Sequence, residues 1–170
     1  MLIKIIKANE QHVEGISKVC SESYWATYGE THTTEYIERV VKEFYNHDRI
    51  MGEVTHSDRH WGGYFVAVEE DEVIGAAGGG MTDEDTGEIF VLYLDPKRRN
   101  EGIGTKLLEA VTKQQKEEFS AVKQWVSVQN GNRKGIPFYE AKGFEFQHEK
   151  DGHGNTEQDS YRSLRYCRNI

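Results

Sequence analysis

A basic, glycine-containing turn between a strand and a helix carries the clearest chemical signal in this sequence. Apolar and β-favouring residues over 88–94 predict a buried strand, and apolar residues at helical spacing from 103 onward predict a helix. Gly102 and Gly104 let the backbone approach a ligand closely, and the N–H groups and dipole of a helix N-terminus favour an anion. Basic residues at 97–99 add positive charge. We interpret this unit as a pyrophosphate-binding site.

Two other interpretations of the turn need to be weighed. The two glycines alone are explained as well by a solvated connection between secondary-structure elements. A Rossmann dinucleotide site would need Gly-x-Gly-x-x-Gly, whereas this sequence reads Arg99-x-x-Gly102-x-Gly104. The unit also lies in mid-chain, without the long alternation of strands and helices that surrounds a dinucleotide site. The dinucleotide interpretation therefore fails.

The turn also resembles the cofactor motif of a known family. The stretch 99–104, RNEGIG, matches the [Gln/Arg]-x-x-Gly-x-[Gly/Ala] motif of the GNAT superfamily of N-acetyltransferases. In that family the loop amides hold the CoA pyrophosphate, and a bulged strand before the loop splays from its neighbour and pairs with the pantetheine arm. The resemblance implies acetyl-CoA as cosubstrate. It implies cofactor contacts from Leu92, Leu94, Arg99, Asn100, Glu101, Gly102, Ile103, Gly104, Thr105 and Asn132.

A second segment of the family lies downstream, over 132–144. Its sequence, NRKGIPFYEAKGF, resembles the family's succession of an asparagine, a helix and Tyr-x-x-x-Gly-Phe. By this resemblance Tyr139 is the general acid, since a phenol can donate a proton to a departing thiolate, and Asn132 contacts the cofactor arm. The structural alternatives are a packed aromatic for Tyr139 and a turn former or helix cap for Asn132.

Glu88 is the candidate general base. It lies six residues before Leu94, the spacing of the catalytic glutamate in some members of the superfamily. A carboxylate partly buried beside an aromatic site can take a proton from an amine, directly or through water. A solvated residue at the strand entry, among the acidic residues at 83–85, explains Glu88 equally well.

Aromatic residues near the first predicted helix are candidates for an acceptor pocket. In the family, the segment that contains Tyr24, Trp25 and Tyr28 lines that pocket, and aromatic faces can hold a cation or an apolar chain. We assign Trp25 and Tyr28 to substrate binding and Tyr24 to core packing, which is also the alternative for all three.

These candidates must be positioned by an α/β (α+β) fold. The hydrophobic pattern and the resemblance predict a mixed, mostly antiparallel central sheet of about seven strands with a splayed pair, flanked by about four helices. The pattern leaves 25–34 irregular, 46–61 unassigned and 151–159 as a polar loop. The predicted strands are 2–6, 64–68, 73–77, 88–94, 123–128, 144–148 and 161–167, and the predicted helices are 13–24, 36–44, 103–119 and 136–142.

Composition limits the classes of function. Residues 1–170 fit a single domain, with 36% hydrophobic and 29% charged residues. The formal net charge of −8 repels phosphate backbones, so we expect no nucleic acid partner, whereas a protonated amine would be attracted. No stretch is long and apolar enough to cross a bilayer, so we expect no membrane partner. Whether the chain forms a homodimer stays open.

Cysteine and histidine usage adds two expectations. Cys20 and Cys167, without a signal peptide, indicate reduced thiols and a cytoplasmic location, with a single disulfide as the alternative. The histidines show no tight metal-ligand spacing, so we expect no metal.

The resemblance implies an enzyme that moves an acetyl group from acetyl-CoA directly to an amine. The expected acceptor is a small molecule: a polyamine, amino sugar, amino acid or drug-like amine. A protein N-terminus or lysine is the alternative acceptor, and a CoA-binding sensor without catalysis is the alternative outside the enzymes.

Overall fold

A computed structural model, which describes residues 2–152 and 161–170, contains a seven-stranded mixed sheet in the order β1-β2-β3-β4-β5-β7-β6. The loop predicted over 151–159 lies outside the described residues from 153 onward. Neighbouring strands are antiparallel except β4 and β5, which are parallel. The sheet confirms the predicted fold class. The elements are β1 (Lys4–Lys7), α1 (Val13–Tyr28), α2 (Thr34–Phe44), α3 (His47–Thr55), β2 (Tyr64–Glu69), β3 (Glu72–Met81), β4 (Thr86–Leu94), α4 (Ile103–Phe119), β5 (Lys123–Gln129), α5 (Gly135–Ala141), β6 (Glu145–Asp151) and β7 (Arg162–Asn169).

Helices cover both faces of the sheet, because successive strand residues point to opposite sides. Val66 and Ala76 belong to the core cluster that α1, α2 and α3 cover. Their neighbours Ala67 and Ala77 belong to the second cluster, which lies against α4 and α5. No helix among the described residues is both long and apolar enough to span a membrane.

The structure corrects two expectations about the N-terminal half. Helix α1 continues to Tyr28 instead of ending near Tyr24, because both tyrosines lie one turn apart on its buried face. Helix α3 occupies part of the unassigned 46–61, so the described residues contain five α-helices instead of about four. The side chain of Asn46 caps α3 by accepting from the backbone N–H of Arg49 at 2.8 Å. Only Ile50 of this short helix is buried, which explains its weak sequence signal.

Strand β4 is bulged and splays away from β5. Gly78 of β3 faces Val91, but the next residue, Gly79, faces Ile89, so Phe90 is the extra residue of a β-bulge. Pairing with β5 covers only Thr86–Ile89 of β4. The C-terminal half of β4 therefore has β3 on one side and an opening on the other, where ligand atoms can reach its backbone.

Candidate active site

A cavity of about 600 Å³ lies at the splayed end of β4 and the start of α4. We call it the α4 cavity. Six of the ten predicted cofactor residues line it, together with Tyr139, so two segments far apart in sequence meet here. The lining residues are Ser23, Thr27, Leu92, Tyr93, Leu94, Arg99, Asn100, Gly104, Asn132, Arg133, Lys134, Gly135, Pro137, Phe138 and Tyr139.

The turn before α4 has the backbone of an anion site. Asn100 and Gly102 have φ values of 64° and 78°, in the left-handed region that Gly102 adopts without steric cost. The N–H groups of the first helical turn have no acceptor within the helix, by the geometry of any helix start. Gly104 is buried, and a Cβ there would approach the ring of Phe138 at 3.4 Å. Backbone groups, rather than side chains, therefore form this end of the cavity.

The positive charge of the α4 cavity comes only in part from the basic stretch 97–99 that the sequence indicated. Arg98 is bound by two carboxylates: its Nη2 donates to Oε2 of Glu69 at 2.9 Å, and its Nε donates to Oε2 of Glu101 at 2.8 Å. The basic residues that line the cavity are Arg99, Arg133 and Lys134, and no acidic residue is among its lining residues. The cavity is thus locally basic on a chain of net charge −8, which suits phosphate groups.

Four of the predicted cofactor residues do not line the α4 cavity with their side chains. Glu101 pairs with Arg98, and Ile103 is 1% exposed in the core. Thr105 lines a separate cavity beside α4, and Gly102 has no side chain to contribute. Their backbone N–H groups still lie in the turn and first helical turn, so a cofactor contact from any of these four residues requires the main chain.

Tyr139 is enclosed in the wall of the α4 cavity. It is 7% exposed, and its ring makes edge contacts with Phe138 and Phe144. Burial raises the pKa of Tyr139 well above that of an exposed tyrosine, and the nearby Tyr28 adds to the shift. The hydroxyl therefore stays protonated at neutral pH, as a proton donor must.

Asn132 has a structural role as well as a place in the cavity. Its Oδ1 accepts from the backbone N–H of Gly135 at 2.7 Å, at the start of α5. This bond closes the turn before α5, as the turn-former alternative predicts, while the N-cap residue of α5 is Lys134, and the Asn132 side chain also lines the α4 cavity. Asn132 fixes the helix that carries Tyr139.

A second cavity, of about 410 Å³, adjoins the first, since Tyr93 lines both. We call it the aromatic cavity. Residues from α1, α2, α3 and five strands contribute to it, and tyrosines are its commonest lining residue. Burial raises the pKa of Tyr24, Tyr45 and Tyr93, so these hydroxyls stay neutral. The lining residues are Tyr24, Tyr28, Phe44, Tyr45, Arg49, Glu53, His60, Trp61, Tyr64, Glu88, Ile89, Phe90, Val91, Tyr93, Ser127, Gln129, Lys150 and Ser163.

Glu88 lines the aromatic cavity, but both of its carboxylate oxygens have a partner. Arg165 donates from Nη1 to Oε2 at 2.8 Å and from Nη2 to Oε1 at 2.9 Å. Its guanidinium also lies over the ring of Trp125, 4.9 Å from the centroid. Arg165 is on β7, and β5 lies between β7 and β4. The Glu88–Arg165 ion pair therefore crosses β5 near the point where the pairing of β4 with β5 ends. Glu88 therefore has a structural partner as well as a place in the cavity.

Of the two residues predicted to bind the acceptor substrate, one lines a cavity and the other does not. Tyr28 lines the aromatic cavity, as does Tyr24, for which we expected only core packing. Trp25 lines neither cavity, and its residue surface is 37% exposed. Its assignment to substrate binding stays a prediction.

Sequence reasoning missed Glu53, Tyr93 and Gln129. Tyr93 sits between Leu92 and Leu94, so strand alternation could have directed it to the opposite face. Gln129 donates from Nε2 to the hydroxyl of Tyr24 at 3.1 Å, and nothing local in the sequence indicates this contact. Glu53 lies within residues 46–61, for which the sequence predicts no secondary structure.

Neither cysteine is in a disulfide, and neither lines either cavity. Within residues 2–152 and 161–170, no three His, Cys, Asp or Glu side chains lie close enough together to hold a metal ion. The site is instead a pair of joined cavities: one basic, with backbone donors, and one aromatic, with carboxylates. Such a pair can hold a phosphate-bearing donor and a cationic acceptor on either side of Tyr93.

Comparisons with known proteins show which family this chain resembles. Residues 18–144 match the acetyltransferase (GNAT) family. A spermidine N(1)-acetyltransferase of Thermoplasma acidophilum is 27% identical over 164 residues, covering 96% of this chain and 100% of that protein. The PaiA N-acetyltransferase of the same organism, solved in complex with coenzyme A, has a TM-score of 0.81 at 25% identity, over 97% of this chain and 98% of that one.

A more distant structure shares the fold alone. The ribosomal-protein-S18-alanine N-acetyltransferase of Escherichia coli has a TM-score of 0.71 at 13% identity, covering 99% of this chain and 94% of that chain. An enzyme that acetylates a protein terminus thus has the same architecture, so the architecture by itself does not identify an acceptor.

Proposed function

We propose that this chain, which belongs to the GNAT family of acetyltransferases, moves an acetyl group from acetyl-CoA to a primary amine of a small molecule. Membership makes it an acyltransferase of a family that binds acetyl-CoA. The acceptor we propose is a polyamine or a related small amine. The name of the spermidine-acetylating relative supports this choice at 27% identity.

The observation that carries the proposal is the junction of the two cavities at Tyr93. The α4 cavity has the features that acetyl-CoA needs: a left-handed glycine turn, a helix N-terminus and three basic lining residues. The aromatic cavity has neutral tyrosines and carboxylates, which suit a protonated amine. A thioester held in the first cavity would face an amine held in the second.

The proposed reaction is a direct transfer. The amine nitrogen attacks the thioester carbonyl carbon, the new C–N bond forms and the C–S bond breaks, so that CoA leaves as a thiolate. We assign Tyr139 as the acid that gives its proton to the sulfur, since burial keeps its hydroxyl protonated. No covalent enzyme intermediate is needed, and neither cysteine lines either cavity.

The attacking amine must also lose a proton, and we propose Glu88 as its acceptor. This carboxylate lines the aromatic cavity on the same strand that lines the α4 cavity. The ion pair with Arg165 gives Glu88 a competing structural role, as a tie between β4 and β7. Water is the alternative route for the proton.

A turnover assay across acceptor classes tests the proposed function. Acetyl-CoA would be incubated with the protein and, separately, with spermidine, an amino sugar, free amino acids and a lysine-containing peptide. Free thiol release and product mass would both be measured. We expect acetylated spermidine. Peptide acetylation alone would move the function to the protein-directed class, and acetyl-CoA binding without transfer to any amine would indicate a sensor.

A further inference from the structure

The aromatic cavity contains two buried polar atoms that lack a partner. Buried oxygens in folded proteins are nearly always hydrogen-bonded, so each exception needs an explanation. Within the described residues the exceptions among side chains are Oε1 of Glu53 and Oγ of Ser163. Both residues line the aromatic cavity, although they come from α3 and β7. Oε1 of Glu53 can only accept as a carboxylate oxygen, and Oγ of Ser163 can both donate and accept, so a ligand with N–H donors could satisfy both atoms.

Glu53 is only partly compensated by its neighbours. The other carboxylate oxygen, Oε2, accepts from Nε of Arg49 at 3.4 Å, at the long limit of a hydrogen bond. The Arg49 guanidinium itself lies over the ring of Phe44, 4.6 Å from the centroid. Burial raises the pKa of Glu53, while Arg49 and a side-chain hydrogen bond with Tyr64 oppose this shift. Oε1 is therefore a carboxylate oxygen that a cation could still satisfy.

The second carboxylate of the cavity does not offer the same opportunity. Glu88 accepts from Arg165 with both oxygens, at 2.8 and 2.9 Å. A cation entering the cavity would compete with Arg165 for both oxygens of Glu88. At Glu53 it would compete with Arg49 and Tyr64 for a carboxylate whose Oε1 has no hydrogen-bond partner. The available negative charge thus lies at Glu53.

The rest of the wall suits an aliphatic polyammonium chain. Ser163 is 1% exposed, and its hydroxyl oxygen can accept from an ammonium N–H. Tyr45, Tyr64 and Trp61 also line the cavity, and their ring faces attract cations while tolerating methylene groups. The site therefore combines a carboxylate, a neutral acceptor and aromatic walls, and its lining also includes the cations Arg49 and Lys150.

Building on the proposed function, we propose that Glu53 binds a second protonated nitrogen of the acceptor, while the reacting nitrogen lies where the two cavities meet at Tyr93. Preferred acceptors then carry two or more amines joined by a flexible chain. Ser163 supplies a further acceptor for the same molecule. Glu53 is a specificity-determining residue in this scheme and takes no part in acetyl transfer itself.

The test compares a diamine with a monoamine of the same chain length. Values of kcat/KM would be measured for 1,4-diaminobutane and for 1-aminobutane with the wild-type chain, Glu53→Gln and Glu43→Gln. The last variant removes the same charge from an exposed position on α2, outside both cavities. Glu53→Gln should lower the preference for the diamine roughly ten- to hundred-fold, the range expected for a hydrogen bond to a charged group. Glu43→Gln should leave the preference within about twofold of wild type.

Calorimetric titration of spermidine into the CoA-bound protein separates this inference from the proposed function. We expect binding to the wild type and to Glu43→Gln, and binding at least ten-fold weaker to Glu53→Gln. Spermidine that binds through Glu53 but is never acetylated would overturn the proposed function and keep the subsite. An unchanged diamine preference, or unchanged spermidine affinity, in Glu53→Gln would overturn the subsite while acetyl transfer stands.

Discussion

The α4 cavity and the aromatic cavity share Tyr93 but are built in different ways. The first is lined mainly by two short segments of the chain: the bulged strand, glycine turn and helix start over 92–104, and the segment 132–139. The second is assembled from side chains on α1, α3 and distant strands. A site formed by backbone groups of short segments can be predicted from the spacing of residues in the sequence. A site formed by side chains from distant elements can be recognised only in the tertiary structure.

We expect the largest effect from a substitution at the helix start that lines the α4 cavity. Gly104→Asp places bulk against Phe138 and a negative charge at an anion site, so it should abolish stabilisation by acetyl-CoA. In the wild type that stabilisation should be about 2.7 kcal/mol at a hundred times the dissociation constant. Thermal melts with and without acetyl-CoA measure it.

A matched alanine separates bulk from charge at the same position. The Cβ of Gly104→Ala meets Phe138 at 3.4 Å, a contact that a small ring movement relieves. This variant should keep most of the acetyl-CoA shift. Equal shifts in Gly104→Asp and wild type would mean that the cofactor does not approach α4.

Tyr139 lies on the cofactor side and should affect the chemical step alone. Tyr139→Phe keeps the ring contacts with Phe138 and Phe144 but removes the proton donor. We expect kcat to fall about ten-fold or more with acetyl-CoA affinity nearly unchanged. Steady-state kinetics and a direct binding titration check both halves. If turnover is unaffected, Tyr139 is a packing residue.

A substitution of Glu88 tests the contrast between the two cavities, because Glu88 lies on β4, the strand that lines both. Glu88→Gln should be slow near neutral pH and should recover as the pH approaches the pKa of the free amine, where no base is needed. The measurement is kcat/KM against pH for wild type and variant. Parallel pH profiles with a lower melting temperature in the variant would show that the pair with Arg165 is only a structural tie.

The smallest effect concerns stability on the acceptor side. Burial raises the folded-state pKa of Glu53, so the folded protein holds this proton at a higher pH than the unfolded chain does. As the pH rises from the unfolded pKa to the folded pKa of Glu53, the free energy of unfolding therefore falls. Above the folded pKa, the folded protein bears the full destabilisation caused by the buried charge. Glu53→Gln should melt at a higher temperature than wild type at pH 7, and the difference should shrink below the unfolded pKa near 4.5.

Glu43→Gln is again the control, since its exposed charge should leave the melting temperature nearly unchanged. A lower melting temperature of Glu53→Gln at pH 7 would mean that the Arg49 pair outweighs the burial of the charge. A rise in stability together with a loss of spermidine affinity is the combination expected of a residue kept for binding.

The same contrast explains what the sequence could predict. The strand, turn and helix over 86–119 and the registers of Gly104 and Tyr139 are local patterns, and the structure brings them together. Arg98 was misjudged because its partner Glu69 lies 29 residues away in sequence. Trp25 lines neither cavity although it lies between Tyr24 and Tyr28 on α1, and the local sequence does not distinguish these three aromatic residues.

Glu53 lay beyond prediction for a related reason. Its helix, α3, is nine residues long and fully buries only Ile50, so it is too short to show a clear hydrophobic period. The property that singles out Glu53 is a missing partner, which can be recognised only when every neighbour is known. Fold and cofactor side could thus be predicted from spacing, whereas the acceptor side required the tertiary structure.

A crystal structure of the chain with both CoA and spermidine tests the central claim most directly. The account predicts CoA in the α4 cavity, with its phosphates at the turn that contains Gly102 and Gly104. It predicts spermidine in the aromatic cavity, with one nitrogen beside Glu53 and another near Tyr93. Spermidine outside the aromatic cavity, or CoA away from the start of α4, would contradict it.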